Sequence, residues 1–352
     1  MAQQLKKYRA AIIGCGRVAW MLEDDPLEIK PCTHMGAYRK VSFDIGRVEV
    51  VAAADLNGKR LEAFGHRFGV SSLYKDYKEM LEKERPEILS ICAYAPERFT
   101  MLMDSIDAGV KGIWCEKAFA TTLEEGRMMK EALEKNGVSL IVSHLRRWSG
   151  DYRKTKEIIE NGSIGELQSI VCHFSGSLIH TGTHAFDILG WFGGPVQWVQ
   201  GELENGSGEL PWDNIEDIGG RAFIKFKNGV YATVHAESKG YFFFEFDIIG
   251  SHGRIRIGNN GLLEYYLPKD STHYTGLKEL LPEQFPSFEN KNIWTEALTH
   301  LLDCVDGSDK SIDGAQEGIE ALEMALAIHE SARQDGSKVY LPLESKIKVR
   351  SR

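Results

Sequence analysis

The sequence predicts an α/β protein: a Rossmann domain with a parallel sheet, then a C-terminal α+β domain carrying a large, mostly antiparallel open sheet. Three observations predict it. The apolar run Ala11-Ile12-Ile13 leads into Gly14-Cys15-Gly16-Arg17-Val18-Ala19, a G-x-G-x-x-A loop. Strand-like and helix-like segments then alternate through the first third of the chain, the pattern of βαβ units. Further on, residues 221–237 alternate between apolar and polar and turn at Asn228-Gly229, the signature of an antiparallel hairpin. The domain boundary is placed at 125/126, giving a dinucleotide-binding domain over 1–125 and a substrate-binding and oligomerisation domain over 126–352.

The elements follow in order. Arg47 to Ala54 reads as a strand ending at Asp55, followed by a helix through Leu61 and Phe64 and a short segment at 71–74. A helix covers Tyr77 to Lys83, a strand Ile88 to Ala93, and a helix Phe99 to Ala108. The strand Gly112-Ile113-Trp114-Cys115 ends in Glu116-Lys117-Ala118. Helices over Glu124–Lys135 and Tyr152–Ile159 stop at Asn-Gly pairs, with a strand at 139–143 between them. In the second domain Tyr241–Ile249 and Arg254–Ile257 read as further strands. Two amphipathic helices close the chain, one lined by Trp294, Leu298, Leu301, Leu302 and Val305, the other by Ile319, Leu322 and Leu326.

The glycine loop has a physical purpose. One glycine allows a tight turn, a second lets the backbone approach a pyrophosphate, and the following helix turns its N-terminal amides to that phosphate. Gly14, Gly16, Arg17 and Val18 are therefore cofactor-binding candidates. So are Asp55, Asn57 and Arg60, because an acid at the end of the second strand accepts hydrogen bonds from the adenosine ribose. Its charge repels a 2′-phosphate, which favours NAD over NADP; Arg60 is the neighbour that would suit the phosphate. Loops at the carboxyl ends of parallel strands face the ligand, which adds Ala95, Pro96, Glu116 and Lys117 on the nicotinamide side.

The interval from Gly14 to Asp55 is about twice the usual spacing of roughly 20 residues. The excess falls at residues 21–31, whose two prolines and clustered charge predict an irregular excursion where the first helix should begin. It reads either as a surface loop or as a flap near the cofactor mouth.

Composition narrows the function classes. At 352 residues the chain has length for two cores, and its net charge of −9, without a basic block, argues against a nucleic-acid partner. The apolar run after Lys6-Lys7 breaks at Gly14, too short for a membrane span. Cysteines 15, 32, 92, 115, 172 and 304 form no C-x-x-C pair and read as reduced residues of a cytoplasmic protein. A large sheet needs its far face covered. That predicts a homodimer or homotetramer through the C-terminal sheet, with the aromatic run 241–244 as its sign.

A second constellation is His180-Thr181-Gly182-Thr183-His184-Ala185-Phe186-Asp187, opening an apolar helix. With a helix start near Thr183, His184 and Asp187 share a face, so the acid can orient the imidazole for proton transfer. Zinc held by His180, His184 and Asp187 is the competing reading; no metal is assigned, because the glycine loop and Lys117 already account for a site. Trp148, Arg147, His144 and His173 offer an aromatic face with charged donors, which suits a polyhydroxylated ring; each of them equally suits ordinary packing.

Taken together these segments resemble the Gfo/Idh/MocA oxidoreductases, relatives of glucose-fructose oxidoreductase and inositol dehydrogenase, over nearly the whole chain. The glycine loop resembles the family's nucleotide loop, and Glu116-Lys117-Ala118 its Glu-Lys-Pro motif with alanine for proline. Arg146-Arg147-Trp148, Asn161 to Gly165, Gly182 to Asp187 and Ser331 to Pro342 follow the family's later motifs. The resemblance implies NAD-dependent hydride transfer at a carbon of a sugar, sugar derivative or cyclitol. It makes His184 the acid/base and Lys117 the cation that hydrogen-bonds the same oxygen. Many relatives carry an aspartate four residues before that histidine; His180 stands there in this chain and joins the catalytic candidates. Two alternatives share the motifs: an NAD-dependent glycosidase using transient oxidation and elimination, and a catalytically silent nucleotide-binding sensor or partner protein.

Overall fold

The computed structural model describes residues 6–204, 215–309 and 314–350. They divide into two compact units, one of residues 6–148 with 291–309 and 314–318, the other of 149–204 and 215–290 with 319–350.

In the first unit the chain runs β1 (Tyr8–Ile13), α1 (His34–Ile45), β2 (Val48–Ala54), α2 (Gly58–Phe68), β3 (Ser72–Tyr74) and α3 (Tyr77–Glu84). It continues through β4 (Ile88–Ile91), α4 (Ala95–Asp107), β5 (Gly112–Cys115), α5 (Leu123–Asn136) and β6 (Ser139–Val142). All six strands are parallel, in the order β3-β2-β1-β4-β5-β6. Because β6 lies beyond residue 125 and pairs with β5, the first unit extends to Trp148; the boundary moves from 125/126 to 148/149.

Helix ends follow local chemistry. The Thr122 side chain accepts from the Glu125 amide at the start of α5, and Gly137 ends it in the left-handed region. The helix expected from Phe99 begins at Ala95 instead, since Pro96 in its first turn has no amide proton to leave unpaired.

The second unit contains α6 (Gly150–Glu160), β7 (Leu167–Ser175), α7 (Gly182–Gly193), β8 (Val196–Leu203), β9 (Ile215–Glu216), β10 (Gly220–Phe226) and β11 (Tyr231–Glu237). Then come β12 (Phe244–Gly250), β13 (Gly253–Gly258), β14 (Leu263–Asp270) and β15 (Lys278–Glu283). The chain next supplies α8 (Ile293–Val305), which packs in the first unit on α1, β5 and β6, and afterwards α9 (Ala315–Arg333) and β16 (Val339–Tyr340). At Gly112 of β5 an added Cβ would lie 2.6 Å from Val305, so glycine sets how closely α8 approaches the sheet.

The nine-stranded sheet of the second unit has the order β15-β14-β13-β12-β7-β11-β10-β8-β16. Only β7 with β11 is parallel among its pairings. The hairpin read at Asn228-Gly229 is β10 and β11, with Gly229 at φ +93°. The strand expected from Tyr241 starts at Phe244: Phe244 is buried, whereas Tyr241 and Phe242 are 81% and 62% exposed. One face of the sheet buries Ile170, Cys172, Phe174, Ile224, Val234 and Phe246, and α7 packs against β7 and β11. The opposite face carries the stacked rings of His173 and His235, 4.9 Å apart, and of Phe223 and Tyr231, 5.1 Å apart.

Candidate functional site

Gly14, Asp55, Ala95 and Lys117 all follow the carboxyl ends of parallel strands of the first unit, and the strand order reverses between β1 and β4. That reversal is where open α/β sheets bind nucleotides. Gly14 has φ +88°, and a Cβ there would stand 2.9 Å from the Cys92 carbonyl at the end of β4. Gly16 has nothing within 4 Å of the corresponding point, so its backbone lies open to a ligand. Arg17 and Arg60 are exposed and Val18 is partly buried.

The Asp55 carboxylate is engaged through both oxygens by its own neighbours. Its Oδ2 accepts from the Cys15 amide at 2.7 Å, and its Oδ1 from the Asn57 amide at 2.7 Å and from Arg60 at 3.2 Å. The carboxylate therefore ties the glycine loop to the start of α2, where Asn57 is the N-cap. Burial, and then the Asp55 charge, push the Cys15 thiol up to about 12, and burial does the same for Cys115. Both are protonated at neutral pH and take no nucleophilic part.

The excursion is present, and α1 begins only after it, at His34. The chain turns once after the glycine loop, with the Trp20 amide on the Gly16 carbonyl, and then leaves through a short 3₁₀ turn at Met21–Asp24. When it returns, the amides of His34 and Met35 donate to the carbonyls of Val18 and Ala19 at 3.2 and 2.9 Å. The excursion is thus spliced into a helix whose hydrogen bonds run across it. Glu23 Oε1 closes its neck by accepting from the Cys32 amide and the Thr33 hydroxyl, both at 2.8 Å. Asp24 makes a two-pronged pair with Arg67, near the end of α2 remote from Asp55, and Asn292 donates to the Pro31 carbonyl. These anchors favour the surface-loop alternative over the flap.

Glu116 is buried, with its Oε1 3.1 Å from His34 Nε2. Burial alone would raise its carboxyl. The hydrogen bond from His34 and the charges of His34, Arg98 and Lys117 outweigh that cost and hold it at about 2. Arg98, also buried, donates to the Ala93 carbonyl at 2.9 Å and to the Ala118 carbonyl, so one guanidinium clamps the loops after β4 and β5. The Lys117–Ala118 peptide bond is cis. Lys117 itself is partly exposed, Ala95 is buried and Pro96 exposed.

In the second unit α7 starts at Gly182 and presents His184 partly exposed, one turn before the buried Asp187. His180 is exposed, outside the helix. Asp217 fixes the approach to α7: its carboxylate accepts from the amides of Ile179 and His180 at 2.8 and 2.7 Å, and from the Ser177 hydroxyl at 2.6 Å. Among the described residues no group of three or more His, Cys, Asp or Glu side chains is arranged to hold a metal ion.

Of the residues read as substrate-binding, His144, Arg147 and Trp148 lie in the first unit and are buried, Trp148 within the core formed with α8. Asp187 lies in the second unit, as does His173, on the sheet face opposite Phe174. Sequence reasoning missed His34, Ser90, Arg98 and Asp217. Only Arg98 left a usable sign, a charged residue three positions after Ala95 on a helix that starts at the sheet's carboxyl edge.

The open backbone at Gly16, the steric need for glycine at position 14 and the Asp55 carboxylate beside them fit a dinucleotide. Comparison with known proteins agrees. The model of an oxidoreductase family with an NAD-binding Rossmann fold matches residues 8–144, and the model of that family's C-terminal α/β domain matches residues 156–341. The D-apiose dehydrogenase of Paraburkholderia graminis is 24% identical over 356 residues, covering 94% of this chain and 89% of that protein. A levoglucosan dehydrogenase crystallised with NADH superposes with a TM-score of 0.79 at 16% identity, over 96% of this chain and 100% of the other. The WlbA dehydrogenase of Bordetella pertussis, in complex with NADH and UDP-GlcNAcA, gives 0.75 at 20% identity, over 96% and 100% of the two chains. Both halves of the chain are matched in their proper order, and the protein belongs to the Gfo/Idh/MocA oxidoreductase family, with an NAD-binding Rossmann domain at its N-terminus.

Proposed function

We propose that this protein is an NAD(H)-dependent dehydrogenase or reductase acting on a hydroxyl or keto carbon of a sugar, sugar derivative or cyclitol. The observation that carries the reading is the pairing of an ionised, buried Glu116 with Lys117 at the end of β5, in the same unit as the glycine loop. Gly14, Gly16, Arg17, Val18, Asp55 and Asn57 would hold the dinucleotide, with Ala95, Pro96 and Glu116 toward its nicotinamide half. When bound, that cofactor takes up or gives the hydride. Lys117 hydrogen-bonds the reacting oxygen and stabilises its negative charge as the hydroxyl proton leaves. His184, oriented from α7 with Asp187 one turn on, takes that proton in oxidation and returns it in reduction. His180 stands with Lys117 and His184 as a catalytic candidate, and Arg147, Trp148, His144 and Asp187 are assigned to substrate binding. The sugar-directed activities named for the apiose and levoglucosan dehydrogenases support the substrate class.

The test is Lys117→Ala in the full chain, scored on a panel of sugars and cyclitols at the nicotinamide absorbance. Turnover falls by a factor of 10³ or more, an order-of-magnitude expectation for losing charge stabilisation of this kind, while NADH binding by fluorescence is kept. Native turnover in the variant would sink the assignment. Release of an aglycone without net NADH would instead point to the glycosidase alternative.

The same reading extends to assembly. The open sheet face carries Trp198, Phe223 and Tyr231 in edge and stacked contact, with Lys338 over Trp198 and Lys225 over Tyr231. Phe223 is 41% exposed there, and we assign this face to a homodimer or homotetramer contact. The cysteines carry free thiols, which supports a reducing compartment such as the cytoplasm.

A further inference from the structure

His34 is wholly buried, yet both of its ring nitrogens are engaged. Nε2 lies 3.1 Å from Glu116 Oε1, and Nδ1 lies 2.9 Å from the Ser90 hydroxyl, which is itself 3.0 Å from the Tyr38 hydroxyl. The ring packs against two tryptophans that also touch each other, its centroid 4.1 Å from Trp114 and 5.6 Å from Trp294. An apolar side chain would fill such a slot without the desolvation that a buried polar ring entails. The polar choice therefore needs a reason, and the reason lies at Glu116.

An ionised carboxylate only accepts hydrogen bonds, so His34 Nε2 carries the hydrogen and donates it. Ser90 on β4 and Tyr38 on α1 fix the ring from its other side, leaving it no alternative orientation. Two separate elements, α1 and β4, thus brace the residue immediately before Lys117 through this ring. The position of His34 is in turn set by the splice, since its own amide is bonded to the Val18 carbonyl just after the glycine loop.

We infer that His34 is a positioning residue for the reaction, holding the Glu116 carboxylate in place and ionised beside Lys117. It touches neither substrate nor cofactor in this role; it acts through Glu116. The inference rests on the assignment of Lys117 to the reacting oxygen. The other groups facing Glu116 are the Arg98 guanidinium and Lys117, with the thiols of Cys92 and Cys115 close by. Arg98 already donates to the Ala93 and Ala118 carbonyls. His34 is thus the ring donor that reaches the Glu116 carboxylate from α1.

The test compares His34→Phe, which keeps the ring volume, with His34→Gln, whose amide can still donate to Glu116. The first readout is a ¹³C-carboxyl NMR titration of Glu116 in the full chain, assigned with Glu116→Gln. In the native protein and His34→Gln the signal stays that of a carboxylate down to about pH 4, whereas in His34→Phe it titrates above that pH. The second is kinetic. In His34→Phe, kcat falls tenfold or more while KM and NADH affinity stay within threefold, and His34→Gln recovers most of the loss. An unchanged Glu116 titration in His34→Phe overturns the inference. So does native kcat in that variant, or a His34→Gln variant as poor as His34→Phe. Lys117→Ala, run alongside, separates the two ideas: native turnover there removes the catalytic assignment. Loss of turnover there with a native His34→Phe removes only the role of His34. If no panel compound is turned over by the native chain, the titration alone decides.

Discussion

The amide of His34 donates to the carbonyl of Val18 at 3.2 Å, the bond that residue 22 would make if the helix ran on without interruption. Deleting Leu22 through Thr33 and joining Met21 to His34 therefore keeps the helical register. The expected product is a folded protein with NADH affinity within about threefold of native, roughly 0.6 kcal/mol. Fluorescence titration with NADH checks it, and a tenfold loss of affinity in a cooperatively folded variant would restore the idea of a flap over the cofactor.

Gly14 and Gly16 separate folding from binding. Alanine at Gly14 meets the Cys92 carbonyl and must adopt φ +88°, so Gly14→Ala should cost about 1–3 kcal/mol of stability. Alanine at Gly16 meets nothing within 4 Å, so Gly16→Ala should leave the melting temperature unchanged and weaken NADH binding. Thermal melts beside NADH titrations check both. Equal melting points for the two variants would contradict the steric account of Gly14.

Asp55 is braced by the Cys15 amide and by Arg60, so its removal acts on two ligand features at once. Asp55→Ala loosens the glycine loop, deletes the acceptor we propose for the ribose and frees the Arg60 cation. NADH affinity should fall about 10–100-fold, as expected for hydrogen bonds to a charged group worth roughly 1.5–3 kcal/mol. NADPH should lose less than NADH. Parallel titrations with the two nucleotides decide, and an unchanged NADH-to-NADPH ratio would remove Asp55 from cofactor choice.

His329 on α9 gives a pH signature of its own. It is buried, its Nε2 has no hydrogen-bond partner among the described residues, and burial lowers its pKa to about 4. Between about pH 6.5 and 4 the unfolded chain binds a proton that the folded chain does not. Stability from this group is complete above that window and is lost as pH falls through it, by up to about 3 kcal/mol. His329→Leu should flatten the melting profile between pH 7 and 5. Parallel profiles for the two proteins would show that His329 is not the group responsible.

What the sequence made legible is what neighbouring residues determine. The glycine loop, Asp55 and Lys117 each sit where an apolar run ends, and the Asn228-Gly229 turn joins strands adjacent in the chain. β7 and β8 escaped because their pairing is not local: Val171 of β7 lies between Thr233 of β11 and Asp247 of β12, partners far along the chain. His34 escaped for a related reason. The excursion parts it from the glycine loop, and the Glu116 it serves is 82 residues away. The irregular character of residues 21–31 was readable from its prolines and charges; the hydrogen bonds that bridge its ends were not.

The lone parallel pairing of β7 with β11 bears on how the second unit is made at the ribosome. β10 with β11, and β12 through β15, can each close locally as hairpin and meander, but β7 is the strand that joins the two sets. It is synthesised before either. At about 5–20 residues per second, β7 waits several seconds with both edges unsatisfied until β11 emerges, and keeps one edge open until β12 follows. The helix α7, synthesised next, can cover its apolar Ile170, Cys172 and Phe174, so what stays exposed in the interval is the pair of open strand edges, available to any other extended segment.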